Sequence, residues 1–205
     1  MSEQRRSFRG MVLLVVVGAA VVGASHLFDG IAFERWHRAW VFDAEWGRLL
    51  RMVGYLPTWL IVAAAFLLID VRTAKDRGAR AVLLSLSAAA SGLLAEGLKI
   101  LTRRQRPEEH GEYIFRAFSE QPWSSSGLGL PSSHSAVAFG AAFILWRLHP
   151  QAWPVWLGLA VGCALTRVLD RAHFFSDVVA GAWVGVLMGA LLWWLHQRNV
   201  AARAA

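Results

Sequence analysis

The sequence has one cysteine and few charged residues for its length. Cys163 is the only cysteine in 205 residues, which excludes an intrachain disulfide and a cysteine-rich metal site. Charged residues make up 17% of the chain, against about 25% in ordinary soluble domains. Hydrophobic residues make up 56%, above the ~45–50% that soluble domains contain. This balance excludes an ordinary water-soluble globule and favours a protein embedded in a membrane.

The apolar residues are gathered into six runs, and about 20 such residues cross the hydrocarbon core as a helix. The runs cover residues 11–28, 49–71, 79–101, 133–148, 153–168 and 176–194. The sequence therefore predicts an all-α, integral-membrane bundle of six transmembrane helices, forming one domain over residues 1–205. Several runs are shorter than 20 residues, so we expect polar residues at their ends to lie near an interface or a wet cavity.

Basic residues outnumber acidic ones by 21 to 14, for a formal charge of +7. They lie mainly at the ends of the apolar runs, where headgroups and membrane orientation explain them, so we expect no nucleic-acid partner. Six spans place both termini on one side. Arg5, Arg6 and Arg9, with the basic loop at 72–80, favour cytoplasmic termini under the positive-inside rule. The pattern indicates no oligomeric state.

The connector after the first run interleaves aromatic and charged residues over 31–46, with Trp36, Trp40 and Trp46 among them. This pattern predicts an amphipathic helix lying on the bilayer between the first two spans. An interfacial anchor is the main interpretation, and a role in substrate entry is the alternative. The longest polar connector covers residues 102–130.

A first group of unexpected charges ends the third run. Lys99 and Arg106 are seven residues apart, so both can face one cavity if the helix continues to Pro107. Charges this close to a membrane favour a paired or functional role. Arg103 and Arg104, by contrast, fit basic side chains that reach out to the headgroups.

A second group opens the fourth run with Pro131, Ser132, Ser133 and His134. Proline and serine favour a helix start, and the free N–H groups of a helix N-terminus suit a phosphate. His134 could donate a proton to a leaving oxygen. Taken alone, this pattern also fits an ordinary capped helix with an incidental histidine.

A third group joins the fifth and sixth runs. His173 and Asp177 are four residues apart, so the carboxylate can orient the imidazole and leave its second nitrogen as a nucleophile. A structural His–Asp link is the alternative. Arg167 could contact a phosphate through charge-assisted hydrogen bonds. Asp170 and Arg171 are interpreted as an ion pair within the loop.

Together the three groups resemble the signature of the type 2 phosphatidic acid phosphatase superfamily. The motifs are Lys-x6-Arg-Pro at Lys99, Arg106 and Pro107, Pro-Ser-x-His at Pro131, Ser132 and His134, and Arg-x5-His-x3-Asp at Arg167, His173 and Asp177. The motif-bearing part covers residues 99–177. The sequence departs from the usual pattern at Ser133, where the family commonly has glycine, and at Thr166, where it commonly has serine.

The resemblance implies lipid phosphate hydrolysis through a phosphohistidine, without metal or other cofactor. By resemblance, His173 is the nucleophile, Asp177 orients it and His134 protonates the leaving oxygen. The implied phosphate-binding residues are Lys99, Arg106, Ser132, Ser133 and Arg167. Three cations and a helix N-terminus can replace a metal in positioning a phosphoryl group and neutralising its charge. A side chain at position 133 must point away from the phosphate or bond to it.

The implied substrate is a lipid phosphate in the bilayer. A compact chain with an outward-facing site favours a prenyl pyrophosphate such as undecaprenyl pyrophosphate, in the bacterial cytoplasmic membrane with the site facing the periplasm. Phosphatidylglycerophosphate, phosphatidic acid and lipid A phosphate are alternatives. A lipid phosphotransferase would use the same phosphohistidine, and a catalytically silent protein could use the same pocket to bind phosphorylated lipids.

Overall fold

The structure, a computed structural model, describes residues 3–73 and 78–204. Its helices are α1 (Glu3–Ser25), α2 (Asp29–Arg35), α3 (Glu45–Met52), α4 (Leu56–Thr73), α5 (Ala79–Thr102), α6 (Ser133–Leu148), α7 (Trp153–Leu169) and α8 (Phe175–Ala204). The described residues contain no strand, and two isolated bridges join Arg104 to Phe115 and Gln105 to Leu128. The all-α prediction is confirmed.

Five of the six apolar runs lie mainly in one helix each, α1, α5, α6, α7 and α8, whereas the run at 49–71 is divided between α3 and α4 by a turn at residues 53–55. By length and composition, four helical segments among the described residues can cross a membrane, and α3 with α4, bent by 67°, makes a fifth if the pair is one span. α6 has only 16 residues, about 24 Å at 1.5 Å per residue. A helical membrane bundle is confirmed, whereas six spans stay a prediction. The orientation prediction rests partly on Lys75 and Arg77, which lie outside the described residues.

Small residues fill the interior of the bundle and large apolar residues cover its outside. Ala88, Ala138 and Ala160 are fully buried, whereas Ile61 and Leu93 are more than 70% exposed. This distribution is typical of helices that pack closely on one another and present leucine and isoleucine to lipid.

The central contact of the bundle is between α6 and α8. A Cβ at Gly181 would lie 2.2 Å from the carbonyl oxygen of Ser132, and one at Gly185 would lie 2.4 Å from that of Ala136. The two backbones therefore touch along one face, as small residues four apart allow. This contact brings the N-terminus of α6 against the first turns of α8, where two of the three motifs lie.

The predicted single helix over 31–46 does not form. α2 ends at Arg35, Arg38 adopts an extended conformation, and α3 begins at Glu45. The Arg38 backbone N–H donates to the Leu169 carbonyl at the end of α7, so this stretch packs on the bundle. Its placement at the membrane interface stays a prediction.

The helix that carries Lys99 does not continue to Pro107. α5 ends at Thr102, and Arg103 takes a left-handed conformation with φ of 59°. The buried Arg103 guanidinium donates to loop carbonyls, including that of Ala117 at 2.5 Å. The prediction that Arg103 reaches the headgroups is therefore wrong, because its side chain fastens the 103–131 loop over the end of the bundle.

Candidate active site

His173 and Asp177 meet at the junction of α7 and α8. His173 lies in the connector, Asp177 lies in the first turn of α8, and both side chains are almost fully buried. The imidazole Nδ1 is 3.4 Å from the Asp177 Oδ2, which is long for a hydrogen bond. Catalytic pairs without substrate often show such lengths. The Nδ1 side of the imidazole therefore faces the carboxylate, and Nε2 lies on the opposite side of the ring.

Asp177 is held by further donors. The Phe174 backbone N–H donates to its Oδ2 at 2.9 Å, and Arg104 Nη2 donates to its Oδ1. A Cβ at Gly129 would lie 2.7 Å from the same Oδ2, so only glycine lets the loop approach this closely. Both carboxylate oxygens of Asp177 are therefore fixed, and Oδ2 is kept facing His173.

Arg104 is buried, so the prediction that it reaches the headgroups is also wrong. Its guanidinium carbon lies 4.9 Å from the centroid of the Tyr113 ring, and its Nη2 donates to the Ser176 Oγ at 2.7 Å. Asp29 accepts from Tyr113 Oη at 2.6 Å and from the Ser176 Oγ at 2.5 Å. One arginine thus lies among two buried carboxylates. Sequence reasoning missed Asp29, whose only signal is an acid at the end of the first apolar run.

The N-terminus of α6 is tied directly to this pair. Ser132 is the N-cap, and its backbone N–H donates to the Asp177 carbonyl at 2.9 Å. The Ser132 Oγ is buried and has no hydrogen-bond partner within the described ranges. The second and third motifs therefore share one wall of the site.

Lys99 reaches the same helix start from α5. Its Nζ donates to Ser133 Oγ at 2.5 Å and to Glu96 Oε1 at 2.7 Å, and Ser133 Oγ in turn donates to Glu96. The Ser133 side chain thus turns toward α5. Sequence reasoning missed Glu96, although its position three residues before Lys99 allows this contact.

His134 is supported by the bend between α3 and α4. The Tyr55 ring meets its ring edge-to-face at a centroid distance of 4.8 Å. A Cβ at Gly54 would lie 2.7 Å from the His134 Cβ. Because the bend brings residues 54 and 55 against α6, the N-terminal half of the chain contributes to the site, which the three motifs alone did not indicate.

Arg167, near the end of α7, is 4% exposed, and its Nε has no partner in the part of the chain that the structure describes. Its guanidinium carbon lies 5.8 Å from the centroid of the Phe42 ring. The Arg51 guanidinium carbon lies 4.9 Å from the same centroid. Sequence reasoning missed Arg51, one of two arginines in α3, because nothing in the local sequence relates it to the three motifs.

Arg106 lies on the exposed loop that follows α5, and its backbone N–H donates to the Gly127 carbonyl at 3.0 Å.

Asp170 directly follows α7, and burial raises the pKa of its carboxyl, while the charges of Arg167, Arg51 and Arg106 oppose that shift. The predicted Asp170–Arg171 ion pair does not form. Arg171 instead donates to the Phe33 carbonyl at 3.1 Å.

The imidazole of His173 lies outside the helices that can cross the membrane, and burial lowers its pKa from 6.5 to about 4. The Asp177 carboxylate opposes this shift, and the charges of Arg167 and Arg106 add to it. His173 is therefore neutral at pH 7, as a nucleophile must be.

We expect His173 to stay neutral as the pH falls from 8 to 5. The unfolded chain takes up this proton near 6.5 and the folded chain only near 4, so protonation of His173 lowers the free energy of unfolding as the pH falls through that window. Nitrogen-15 NMR of histidine-labelled protein in detergent, with His173→Ala to assign the signal, measures the midpoint. A midpoint between 6 and 7 would contradict the expectation.

Within residues 3–73 and 78–204, no group of three or more His, Cys, Asp or Glu side chains could hold a metal ion. The charges of Arg167 and Arg106 act on His173, and Lys99 contacts the start of α6 through Ser133.

Known proteins are similar to part of this chain in sequence. Lipid A 1-phosphatase from Rhizobium johnstonii is 38% identical over 103 residues, covering 47% of this chain and 41% of the relative. Decaprenylphosphoryl-5-phosphoribose phosphatase from Mycobacterium tuberculosis is 33% identical over 95 residues, covering 46% of this chain and 49% of the relative. The chain thus aligns with less than half the length of either relative.

One solved structure has the same fold. The crystal structure of a transmembrane PAP2 type phosphatidylglycerolphosphate phosphatase from Bacillus subtilis superposes with a TM-score of 0.61, at 20% identity, over 97% of this chain and 98% of that one. The model of the PAP2 superfamily matches residues 80–201, a stretch that holds all three motifs. The chain therefore belongs to the PAP2 superfamily, the type 2 phosphatidic acid phosphatases.

Proposed function

We propose that this protein is a lipid phosphate phosphatase that works through a phosphohistidine. The observation that carries the proposal is the buried His173–Asp177 pair, 3.4 Å apart, beside a helix N-terminus and the cations of the first and third motifs. Family membership supports the same chemistry.

In the proposed reaction, His173 Nε2 attacks phosphorus, so a P–N bond forms as the bond to the leaving oxygen breaks. His134 gives its proton to that oxygen. Water then attacks the phosphohistidine, its proton passes to His134, and inorganic phosphate and free His173 are released. Asp177 keeps the imidazole oriented throughout.

The phosphate oxygens would be held by Lys99, Arg106 and Arg167, with the Ser132 hydroxyl and the backbone N–H groups of Ser133 and His134. The unpartnered Ser132 Oγ and Arg167 Nε support this assignment, because buried polar atoms ordinarily have a hydrogen-bond partner. The first-turn N–H groups of α6 add the partial positive charge of a helix N-terminus.

Because these cations can neutralise the phosphate, we expect excess EDTA to leave the rate of phosphate release unchanged. The measurement compares purified protein in detergent with and without the chelator. A loss of activity that added Mg²⁺ or Zn²⁺ restores would contradict a metal-free reaction.

For the substrate, we propose a prenyl pyrophosphate such as undecaprenyl pyrophosphate, with the protein in the bacterial cytoplasmic membrane, termini inside and the site facing the periplasm. The similarity to decaprenylphosphoryl-5-phosphoribose phosphatase supports a prenyl lipid. The similarity to lipid A 1-phosphatase favours lipid A 1-phosphate as a second candidate.

A panel of labelled lipids tests both. Phosphate release is measured on undecaprenyl pyrophosphate, lipid A, phosphatidylglycerophosphate and phosphatidic acid in mixed micelles, with and without an acceptor lipid. Fastest release from the pyrophosphate supports the first candidate. Release from lipid A or glycerophospholipids alone rejects it, and phosphate transfer that requires an acceptor would identify a phosphotransferase.

A further inference from the structure

Arg51 is a half-buried cation that none of the three motifs contains. It is the penultimate residue of α3, directly before the bend into α4. Its guanidinium carbon lies 4.9 Å from the Phe42 centroid and 5.7 Å from the Tyr55 centroid. The Arg51 Nε is buried without a hydrogen-bond partner among the residues described. The side chain is therefore held between two aromatic rings with donors still to satisfy.

Arg51 and Arg167 bring two like charges to the same ring. Both guanidinium carbons lie within 6 Å of the Phe42 centroid. Over the described ranges, neither guanidinium has a carboxylate oxygen within 4.0 Å, and Asp170 is the acid whose charge reaches both. A buried cation beside a half-buried one, with no paired carboxylate, costs free energy unless an anion binds between them.

The position of Arg51 indicates which part of a substrate it meets. The Tyr55 ring contacts both Arg51 and the ring of His134. In the reaction proposed above, His134 gives its proton to the leaving oxygen, so a cation beside His134 lies beside the leaving group. In a phosphate monoester the leaving oxygen is bonded to a carbon atom of the lipid. In a diphosphate it is bonded to a second phosphate, which carries negative charge.

We infer that Arg51 binds the second phosphate of a lipid diphosphate and neutralises it as it leaves. This assignment rests on the proposed phosphatase reaction and names diphosphates as its substrate class. His173 attacks the terminal phosphorus, the bridging P–O bond breaks, and His134 protonates the bridging oxygen. The lipid monophosphate leaves while Arg51 neutralises its negative charge. Water then attacks the phosphohistidine and releases inorganic phosphate from His173.

The first test measures binding without turnover. Wild type, Arg51→Met and Arg51→Lys in detergent are titrated with methylenediphosphonate and with methylphosphonate. Because a charge-assisted hydrogen bond to a guanidinium is lost, we expect Arg51→Met to weaken diphosphonate binding about 10- to 100-fold and methylphosphonate binding far less. Lysine should restore part of the difference.

Arg48→Met is the matched control. Arg48 lies one turn earlier on α3, is exposed, and donates to the Phe42 and Asp43 carbonyls at 3.1 and 3.0 Å. Its loss should leave both affinities unchanged. Equal weakening for the two probes in Arg51→Met, or no weakening in a variant that remains folded by thermal unfolding, would overturn the assignment.

The second test separates this assignment from the proposed function. Phosphate release is compared on farnesyl diphosphate and farnesyl monophosphate, and Arg51→Met should lower kcat/KM on the diphosphate selectively. If wild type releases phosphate from neither lipid but its diphosphonate preference depends on Arg51, the hydrolase proposal fails and the anion site stands. If wild type hydrolyses both and Arg51→Met changes them equally, only the Arg51 assignment fails.

Discussion

His173→Ala is expected to lower phosphate release by at least about 1,000-fold, because the phosphohistidine cannot form without the imidazole and the remaining cations only hold the substrate. The assay uses undecaprenyl pyrophosphate and phosphatidic acid in detergent with EDTA present. Labelled substrate, quenched in base, should leave phosphate on wild type and none on the variant, since a P–N bond survives base and is lost in acid.

His110→Ala is the matched control for this substitution. His110 is an exposed residue of the 103–131 loop, so the variant should keep the wild-type rate and its base-stable label. Substantial turnover by folded His173→Ala, or a label that persists on it, would refute the nucleophile assignment and move the role to another residue.

Contacts within one or two turns were predictable from spacing. The four-residue interval predicts the meeting of His173 and Asp177, which the structure brings to 3.4 Å. The apolar runs likewise predict the long helices α1, α4, α5, α6, α7 and α8, because a backbone in lipid must satisfy its hydrogen bonds within the segment, as a helix does. Six spans stay a prediction, since most of α6 is buried against its neighbours and its apolar sequence alone does not show that it crosses the membrane.

Contacts between distant segments could not be predicted in the same way. Spacing gives no reason for Arg104 to reach Asp177, 73 residues later, or for Asp29 to accept from Ser176, 147 residues later. A basic residue beside an apolar run fits the headgroup region equally well. The left-handed turn at Arg103 decides between these outcomes, because it ends α5 and directs the following residues across the bundle.

Ser133 shows how one departure from the family pattern is accommodated. Its hydroxyl is taken up by Glu96 and Lys99 on α5, so the added side chain lies away from the first-turn N–H groups. The sequence contained both residues, but only the packing of α5 on α6 brings them within hydrogen-bond distance.

Arg104→Met is expected to lower kcat about 100-fold with little change in KM. The substitution removes the cation that fixes the Asp177 carboxylate and leaves it near the second buried carboxylate, Asp29. A charge-assisted hydrogen bond contributes about 1.5–3 kcal/mol, which as lost transition-state stabilisation corresponds to roughly 10- to 150-fold in rate. Arg104 is a positioning residue here, so Arg104→Lys, which keeps the charge, should recover part of kcat.

Arg103→Met separates this effect from a loss of folding. Arg103 is as deeply buried as its neighbour but donates only to loop carbonyls such as that of Ala117. Both substitutions should lower the thermal unfolding temperature, since each removes the hydrogen bonds that a buried guanidinium makes. Only Arg104→Met should lower kcat of the folded protein and shift the His173 imidazole signal in NMR spectra. Equal losses of kcat in the two variants would show that Arg104 acts through loop stability. Arg104 would then have no separate role in positioning the His173–Asp177 pair.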